Sequence, residues 1–350
     1  MEAQLILENG KRFKGRMFGA EKDVVGEVVF STGMGGYQET LTDPSLAGQI
    51  VTMTFPLIGN YGINSEDMES GEVSLSALVV REKCDNPSNF RCQETLDSFL
   101  KRKGTVGIEG IDTRALTKIL RDSGCMRGVI VKGNPTDEEV KKLLETFDSS
   151  DVVMSVTTKN KYTVNENGKK KAAFIDLGTK KSIIESLVKR DCAVTVFPAN
   201  VSADEILKNN PDFVFLSSGP GNPDDLGYVV DTVKELVGKL PIFGICTGHL
   251  VIGLALGAKT EKLKFGHHGE NQPVKDADDA KVYITSQGHN YVLTDLPQDV
   301  LQSFTNVNDG TCEGIKHKSL PIQSVQFHPE ASPGPLETGF VFDRFLEEVK

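Results

Sequence analysis

A cysteine flanked by glycines is the residue whose type and spacing most directly suggest chemistry. The segment GICTG, residues 244–248, follows the apolar run PIF and precedes an apolar helical pattern. A cysteine in such a turn, here Cys246, lies at a helix N-terminus, where the helix dipole favours the nucleophilic thiolate. The amide of Thr247 is then placed to stabilise an oxyanion. The alternative interpretation is a buried core cysteine in a glycine-rich packing turn.

A histidine and a glutamate supply the partners that a thiol nucleophile requires. His328 and Glu330 belong to the segment QFHPE, which follows the strand-like run IQSV. Side chains at i and i+2 of an extended chain point to the same side. Because a base can accept the thiol proton and a carboxylate can orient the base, Cys246, His328 and Glu330 are candidates for a catalytic triad. A strand-end histidine in an ordinary turn is the alternative.

A glycine-rich loop is the third candidate element. The segment SSGPGNP, residues 217–223, follows the strand-like run DFVFL and contains Gly219 and Gly221. Such a loop is stiff and exposes its amides, which suits a second oxyanion donor or a substrate cradle. The same residue types also dominate simple turns, so this loop by itself indicates little.

The elements that must position these residues fall into two blocks. Strand-like runs followed by helical patterns predict an N-terminal α+β domain over residues 1–153, with Thr136 as a helix cap. Strand and helix patterns then alternate, which predicts a doubly wound, mostly parallel α/β sheet over residues 172–350. Such sheets bind ligands beyond the carboxyl ends of their strands. Residues 154–171 are polar and predict a linker or an exposed hairpin.

Composition and charge exclude several classes of function. The 39 Lys and Arg against 49 Asp and Glu give a net charge of −10, which argues against nucleic acid or an anionic membrane as partner. The chain contains no phosphate-binding loop motif. Its first residues lack the pattern of a secretory signal, so we predict a cytoplasmic protein. The pair His267-His268 has no cysteine or third histidine at ligand spacing, and we predict no metal site.

The motifs together resemble those of the class I, triad-type glutamine amidotransferases. The resemblance rests on FGICTGH, FHPEASPGP and SSGPGNP. In the first block, STGMGGYQETLTDPSLAGQIVTMTFPLIGNYGIN and GIEGIDTRALTKILR resemble the N-terminal domain of the small, glutamine-hydrolysing subunits of carbamoyl phosphate synthetase. The resemblance therefore covers nearly the whole chain.

This resemblance implies an activity, a partner and a set of site residues. It implies that Cys246 attacks the glutamine side chain to form a γ-glutamyl thioester, while His328 moves the proton and Glu330 orients His328. Ammonia would pass to a large subunit, which would bind ATP and a divalent metal and make carbamoyl phosphate from bicarbonate for arginine and pyrimidine synthesis. This chain would need no cofactor. The implied substrate-binding positions are Ser45, Gly219, Gly221, Thr247, Leu250, Gly288, Asn290 and Tyr291.

Three of these positions depart from the pattern of the family. Leu250 replaces a glutamine that binds the polar end of the substrate, and Gly288 and Asn290 exchange the family's asparagine and glycine. An unpaired buried polar group costs ~1–3 kcal/mol, or roughly 5–150-fold in affinity, so we predict weak glutamine binding. One alternative is a catalytically weakened, ammonia-dependent scaffold or regulatory subunit. Another is an amidotransferase of a different synthase, such as anthranilate synthase, against which the extra N-terminal domain argues.

Overall fold

The chain folds as two compact units, Met1–Ser149 and Ser150–Lys350. The computed structural model describes residues 1–148, 150 and 152–349. Both units contain helices and strands, and no helix within the described ranges is long and apolar enough to cross a membrane.

The first unit begins with strands and adds its longer helices later, as the sequence predicts. Its strands are β1 (Glu2–Leu7), β2 (Arg12–Gly19), β3 (Val24–Ser31), β4 (Gln49–Met53), β5 (Leu57–Ile58), β6 (Ala77–Val79), β7 (Glu82–Lys83), β8 (Val106–Glu109) and β9 (Met126–Lys132). Its helices are α1 (Tyr37–Thr42), α2 (Leu96–Lys103), α3 (Thr113–Ser123) and α4 (Asp137–Glu145).

Seven of these strands close into a barrel in the order β1-β2-β8-β6-β4-β3-β9. The neighbours β3, β4, β6 and β8 run parallel, and the other pairs are antiparallel. Closure removes the unpaired strand edges that an open sheet exposes. The core contains buried apolar side chains from most of these strands, among them Leu5, Val28, Ile50, Val79, Ile108 and Ile130.

Local sequence signals in this unit produce the expected helix ends and faces. Thr136 and Glu139 form a reciprocal capping box at the start of α4, which confirms Thr136 as the cap. Helix α2 buries Leu96, Phe99 and Leu100 on one face, the face indicated by their helical spacing.

The second unit alternates strands and helices and then continues with strands. Its strands are β10 (Tyr162–Val164), β11 (Lys170–Asp176), β12 (Cys192–Pro198), β13 (Phe213–Leu216), β14 (Ile242–Ile245), β15 (Lys259–Asp276), β16 (Val282–Thr294), β17 (Val300–Asn306), β18 (Cys312–His317) and β19 (Ile322–Val325). Its helices are α5 (Val152–Val156), α6 (Lys181–Val188), α7 (Ala203–Lys208), α8 (Gly227–Leu236), α9 (Thr247–Leu256) and α10 (Phe340–Glu347).

These strands form one sheet in the order β10-β12-β11-β13-β14-β19-β18-β17-β15-β16. The central strands β12, β11, β13, β14 and β19 are parallel, which confirms the doubly wound α/β fold. Strands β15 to β18 are antiparallel to their neighbours, as expected where no helix separates consecutive strands. The carboxyl ends of β11, β13, β14 and β19 therefore lie at one edge of the sheet.

Both faces of this sheet are covered by helices. Successive side chains of a strand point to opposite faces. Ile175 and Leu216 accordingly pack in an apolar cluster with α7, α8 and α9, whereas Phe174 and Phe215 pack in a second cluster with α6 and α10. The strands that carry the candidate site are thus fixed by apolar packing on both sides.

The predicted linker over residues 154–171 is instead ordered within the second unit. Strand β10 pairs antiparallel with β12, not with β11, so the segment is neither a free linker nor a simple hairpin. The carboxylate of Asp176 also accepts a hydrogen bond from the Thr158 amide at 2.7 Å. Polar composition indicated that these side chains face solvent, but it carries no information about backbone pairing at a sheet edge.

Candidate active site

The turn between β14 and α9 holds Cys246 in a strained conformation. Its φ of 54° and ψ of −109° are uncommon for a residue with a Cβ atom, and such strain is concentrated at functional sites. A Cβ atom added to Gly248 would lie 2.4 Å from the Leu216 carbonyl oxygen, and one added to Gly244 would lie 2.9 Å from the backbone of Gly248. The glycines on either side are therefore required for the close approach of strand and helix.

The side chains of Cys246, His328 and Glu330 lie one after the other. The His328 imidazole lies beside Cys246, and its Nδ1 lies 2.6 Å from Oε1 of Glu330. The backbone fixes both ends of the row: the Cys246 amide donates to Val325 at 2.9 Å, and the His328 amide donates to Ser286 at 2.9 Å. All three side chains are buried, with Cys246 2% exposed.

The charges in this row favour an ionised pair. Burial and, to a smaller extent, the Lys180 ammonium would lower the pKa of His328, but the Glu330 carboxylate, with a smaller contribution from Cys246, outweighs them and raises the pKa to about 10. Burial would raise the pKa of Glu330, but Lys180 and His328 lower it to about 2.

Lys180 is a member of this site that the sequence analysis missed. Its Nζ donates to Oε1 of Glu330 at 2.8 Å and to the Ala331 carbonyl at 2.7 Å, and its side chain is 3% exposed. Lys180 lies between β11 and α6, at the same carboxyl edge of the sheet as Cys246. Its position just after a predicted strand could have indicated Lys180 as a site residue, but no motif distinguished this lysine from its neighbours.

The glycine-rich loop lies against the start of α9. Thr247 Oγ1 donates to the Gly219 carbonyl at 2.5 Å, and the Gly248 amide donates to the Ser217 carbonyl at 2.9 Å. A Cβ atom at Gly219 would lie 2.2 Å from the backbone oxygen of Leu177, so this close approach requires glycine. Gly221 follows in the same loop with a φ of 91°. The structure therefore brings Gly219 and Thr247 together, next to the cysteine.

The remaining candidate positions of the second unit lie on α9 and β16. Leu250 is buried in the apolar cluster beneath α9. Gly288 has open space where a side chain would be, with no atom within 4 Å of an added Cβ. Asn290 Oδ1 lies 2.8 Å from His268 Nε2, so its side chain is already engaged. Tyr291 lies on β16 beneath the ammonium group of Lys262, 5.9 Å from the ring centre.

Ser45 lies in the first unit, in the short turn Pro44–Leu46. Its hydroxyl donates to the Asp43 carboxylate at 2.7 Å, and Asp43 also caps the turn through the Ser45 amide. These contacts lie within the turn of Ser45 itself, so a contact between Ser45 and glutamine stays a prediction.

Comparison with known protein families identifies the class to which this site belongs. Residues 173–348 match the family described as glutamine amidotransferase class-I. Residues 5–130 match the family described as carbamoyl-phosphate synthase small chain, CPSase domain. The second unit is thus a class I glutamine amidotransferase domain, and the first contains the CPSase domain of carbamoyl-phosphate synthase small chains.

Full-length relatives agree with both matches. The chain is 56% identical over 347 residues to the carbamoyl phosphate synthase small chain of Clostridium perfringens, covering 99% of each chain. It is 49% identical over 352 residues to the small chain of Caldanaerobacter subterraneus subsp. tengcongensis, covering 100% of this chain and 97% of the relative. It is 47% identical over 354 residues to the pyrimidine-specific small chain of Halalkalibacterium halodurans, covering 99% and 97%. The chain belongs to the carbamoyl phosphate synthase small-chain family, as the sequence motifs predicted.

Proposed function

We propose that Cys246, His328 and Glu330 hydrolyse L-glutamine and that the ammonia released is used by a large synthase chain. One observation carries this proposal: Cys246, held in a strained turn, lies beside the His328 imidazole, and that imidazole is hydrogen-bonded to Glu330. The glutamine-hydrolysing character of the small-chain family agrees with it.

In the first half of the reaction, the Cys246 thiolate attacks the side-chain amide carbon of glutamine and forms a C–S bond. The carbonyl oxygen becomes an oxyanion, for which the amides of Thr247 and Gly221 are the proposed donors. The oxyanion then collapses and the C–N bond breaks. The His328 imidazolium donates its proton to the leaving nitrogen, so ammonia departs and a γ-glutamyl thioester remains.

In the second half, the neutral His328 accepts a proton from water. The resulting hydroxide attacks the thioester carbon, and the C–S bond breaks as the second tetrahedral species collapses. Glutamate leaves after releasing a proton to solvent. The thiolate of Cys246 and the imidazolium of His328 are restored, so the cycle is balanced.

Glu330 and Lys180 act in this scheme by positioning His328. The carboxylate accepts from both the imidazole and the ammonium through Oε1, which fixes the ring towards Cys246. A hydrogen bond at Nδ1 also leaves Nε2 as the atom that exchanges the proton.

The proposed partner is the large chain implied by the name of the small-chain relatives. ATP and a divalent metal would bind to that chain, where ammonia and bicarbonate would be converted to carbamoyl phosphate. The sequence of this chain contains no phosphate-binding loop motif of its own, which agrees with such a division.

A glutamine-mimicking diazoketone tests the nucleophile directly. We expect it to alkylate Cys246, as mapped by mass spectrometry of peptides. Cys192 and Cys312 are internal controls because burial raises the pKa of their thiols to about 11 and about 12. Label on Cys246 alone, lost when glutamine is added in excess, supports the proposal. Absence of label on Cys246 contradicts it.

A second candidate function is favoured by the apolar Leu250. A small chain that binds glutamine poorly would support ammonia-dependent synthesis in the complex with its large chain. The two functions are distinguished by measuring carbamoyl phosphate formation by the complex with glutamine and with ammonium salts over a range of concentrations. Activity with ammonium alone would favour the second function.

A further inference from the structure

Three buried side chains that the sequence separates widely meet in the antiparallel half of the second unit. His267 lies on β15, His289 on β16 and Glu313 on β18, and one ligand atom of each lies within 4.8 Å of the others. The mechanism above uses none of them. In the sequence, the pair His267-His268 did not predict a metal site because no further ligand follows at ligand spacing. The fold brings two further ligands, His289 and Glu313, close to His267.

The outer nitrogen of each histidine is held by an oxygen acceptor. Nε2 of His267 lies 2.8 Å from the Asp309 carboxylate, and Nδ1 of His289 lies 2.9 Å from the Tyr291 carbonyl. Each of these nitrogens therefore carries the hydrogen when the ring is neutral. The other nitrogen then presents a lone pair. This is the arrangement that metal-binding histidines show, with the second ring N–H donated to a carboxylate or a backbone carbonyl.

Each of these two ring nitrogens has an acceptor oxygen nearby, and His267 Nδ1 also has the Asn306 side-chain donor as a longer neighbour. Nδ1 of His267 lies 3.3 Å from Oε1 of Glu313, and Nε2 of His289 lies 3.0 Å from Oε1 of Gln287. Asn306 Nδ2 donates to Glu313 Oε1 at 3.0 Å and is a weaker neighbour of His267 Nδ1 at 3.4 Å. Lone pairs that face oxygens repel one another unless a proton or a cation lies between them.

The carboxylate of Glu313 provides an independent indication of a ligand. Its side chain is 0% exposed, and no donor among the described residues lies in hydrogen-bonding geometry to Oε2, although the Gln287 side chain interacts with this carboxylate. A buried carboxylate oxygen without a partner is costly. Metal bonds of 2.0–2.1 Å at a tetrahedral angle separate two ligand atoms by about 3.3 Å, which matches the distance from His267 to Glu313. The full set lies within 4.8 Å, so binding an ion would draw the three side chains closer together.

We propose that His267, His289 and Glu313 bind one divalent cation of the zinc class, with Asp309 and the Tyr291 carbonyl as outer supports. Two imidazoles and one carboxylate are a ligand set that zinc uses. The ion would join β15, β16 and β18 and so stabilise the strand that carries Gly288 and Asn290. None of the three ligands belongs to the triad, and the proposal does not depend on the proposed function.

Zinc titration of the full-length chain tests the site by calorimetry, with Co²⁺ as a spectroscopic probe of tetrahedral coordination. The experiment uses the Cys246→Ser background, because a thiolate beside His328 binds zinc by itself. We expect a single ion per chain, a ligand-field spectrum of low symmetry and a higher Tm with metal. Glu313→Gln should weaken binding by about 100-fold or more, and Asp309→Asn by about 10–100-fold, as outer-shell changes do.

His317 provides the matched control. It is also a buried histidine beside a carboxylate, with Nε2 3.2 Å from Asp299, but it lies outside the cluster. His317→Gln should leave zinc affinity unchanged. Asp309 is half-exposed, so its variant reports on the site even if Glu313→Gln fails to fold. No zinc binding in the Cys246→Ser chain would overturn the proposal and leave a shared proton between His267 and Glu313. Binding that is unchanged in both variants would also overturn it.

Discussion

The turn before α9 and the strand β16 both contact His328, but they differ in how much of the family pattern they keep. The turn holds Cys246 beside the imidazole, with the glycines its geometry requires. Strand β16 supplies the Ser286 carbonyl to the His328 amide, yet Asn290 is engaged by His268 and Gly288 carries no side chain. Two of the predicted substrate-binding positions therefore lie on a different element from the predicted nucleophile, so affinity can change there while the chemistry is kept.

The largest effect is expected from Cys246→Ser. A serine hydroxyl is far less ionised than a thiol beside an imidazolium, so glutamine hydrolysis should fall by about 10³-fold or more. Ammonia-dependent synthesis in the complex should be unchanged, because the variant retains the fold. Glutaminase assays and ammonium-supported synthesis on the same preparation check both statements. Retained glutamine turnover would show that Cys246 is not the nucleophile and that the turn before α9 does not carry the chemistry.

The triad was predictable from sequence because its members lie within short motifs at the ends of recognisable strands. The turn between a predicted strand and a predicted helix was enough to single out Cys246. His328 and Glu330 are two residues apart, so their pairing was visible within one short motif. Lys180 was not predictable, since its partner Glu330 is distant in sequence and meets it only when β11 and β19 join one sheet. For the same reason, the sequence did not predict that His289 and Glu313 lie close to His267.

The first unit shows a related limit. Strand-like runs indicated its strands, and helical spacing indicated the buried face of α2. Closure of the barrel depends on β1 pairing with β9 across most of the unit, and on parallel pairing of β6 with β8. Local patterns set which residues are extended or buried, whereas strand partners are decided by long-range packing.

Leu250→Gln tests whether the missing glutamine side chain at this position limits substrate affinity. Restoring the family's amide should pair the polar end of glutamine and lower KM by roughly 5–150-fold, with kcat little changed. Leu250→Met keeps the apolar character at similar volume and should leave KM unchanged. Steady-state glutaminase kinetics measure both variants. A wild-type KM already typical of tight binding, or an unresponsive KM in Leu250→Gln, would contradict the pocket argument.

Glu330→Gln and Lys180→Met should move the alkaline limit of activity in opposite directions. The limit reports loss of the His328 proton, whose pKa is raised from 6.5 to about 10 with Glu330 raising it and Lys180 lowering it. Removing the carboxylate should lower this pKa, so kcat/KM should decline at lower pH, by about one unit or more. Removing the ammonium should raise the pKa, and the decline should occur at higher pH.

The pH profile of kcat/KM separates positioning from a merely structural role. Lys181→Met is the control, because Lys181 is exposed and pairs with Glu185 on the helix surface. It should leave the profile unchanged. Shifts of Glu330→Gln and Lys180→Met in the same direction would mean that Glu330 and Lys180 affect His328 only by supporting the fold.

The smallest effect is expected from Gly288→Asn, which returns an amide to the position where the family has one. No atom lies within 4 Å of an added Cβ, so the side chain should be accommodated without displacing β16. One added hydrogen bond contributes about 0.5–1.5 kcal/mol, so KM for glutamine should fall by about 2–12-fold. Gly288→Ala fills the same space without the amide and should not change KM. An equal fall in both variants would show that β16 rigidity, and not hydrogen bonding to the substrate, limits affinity at this strand.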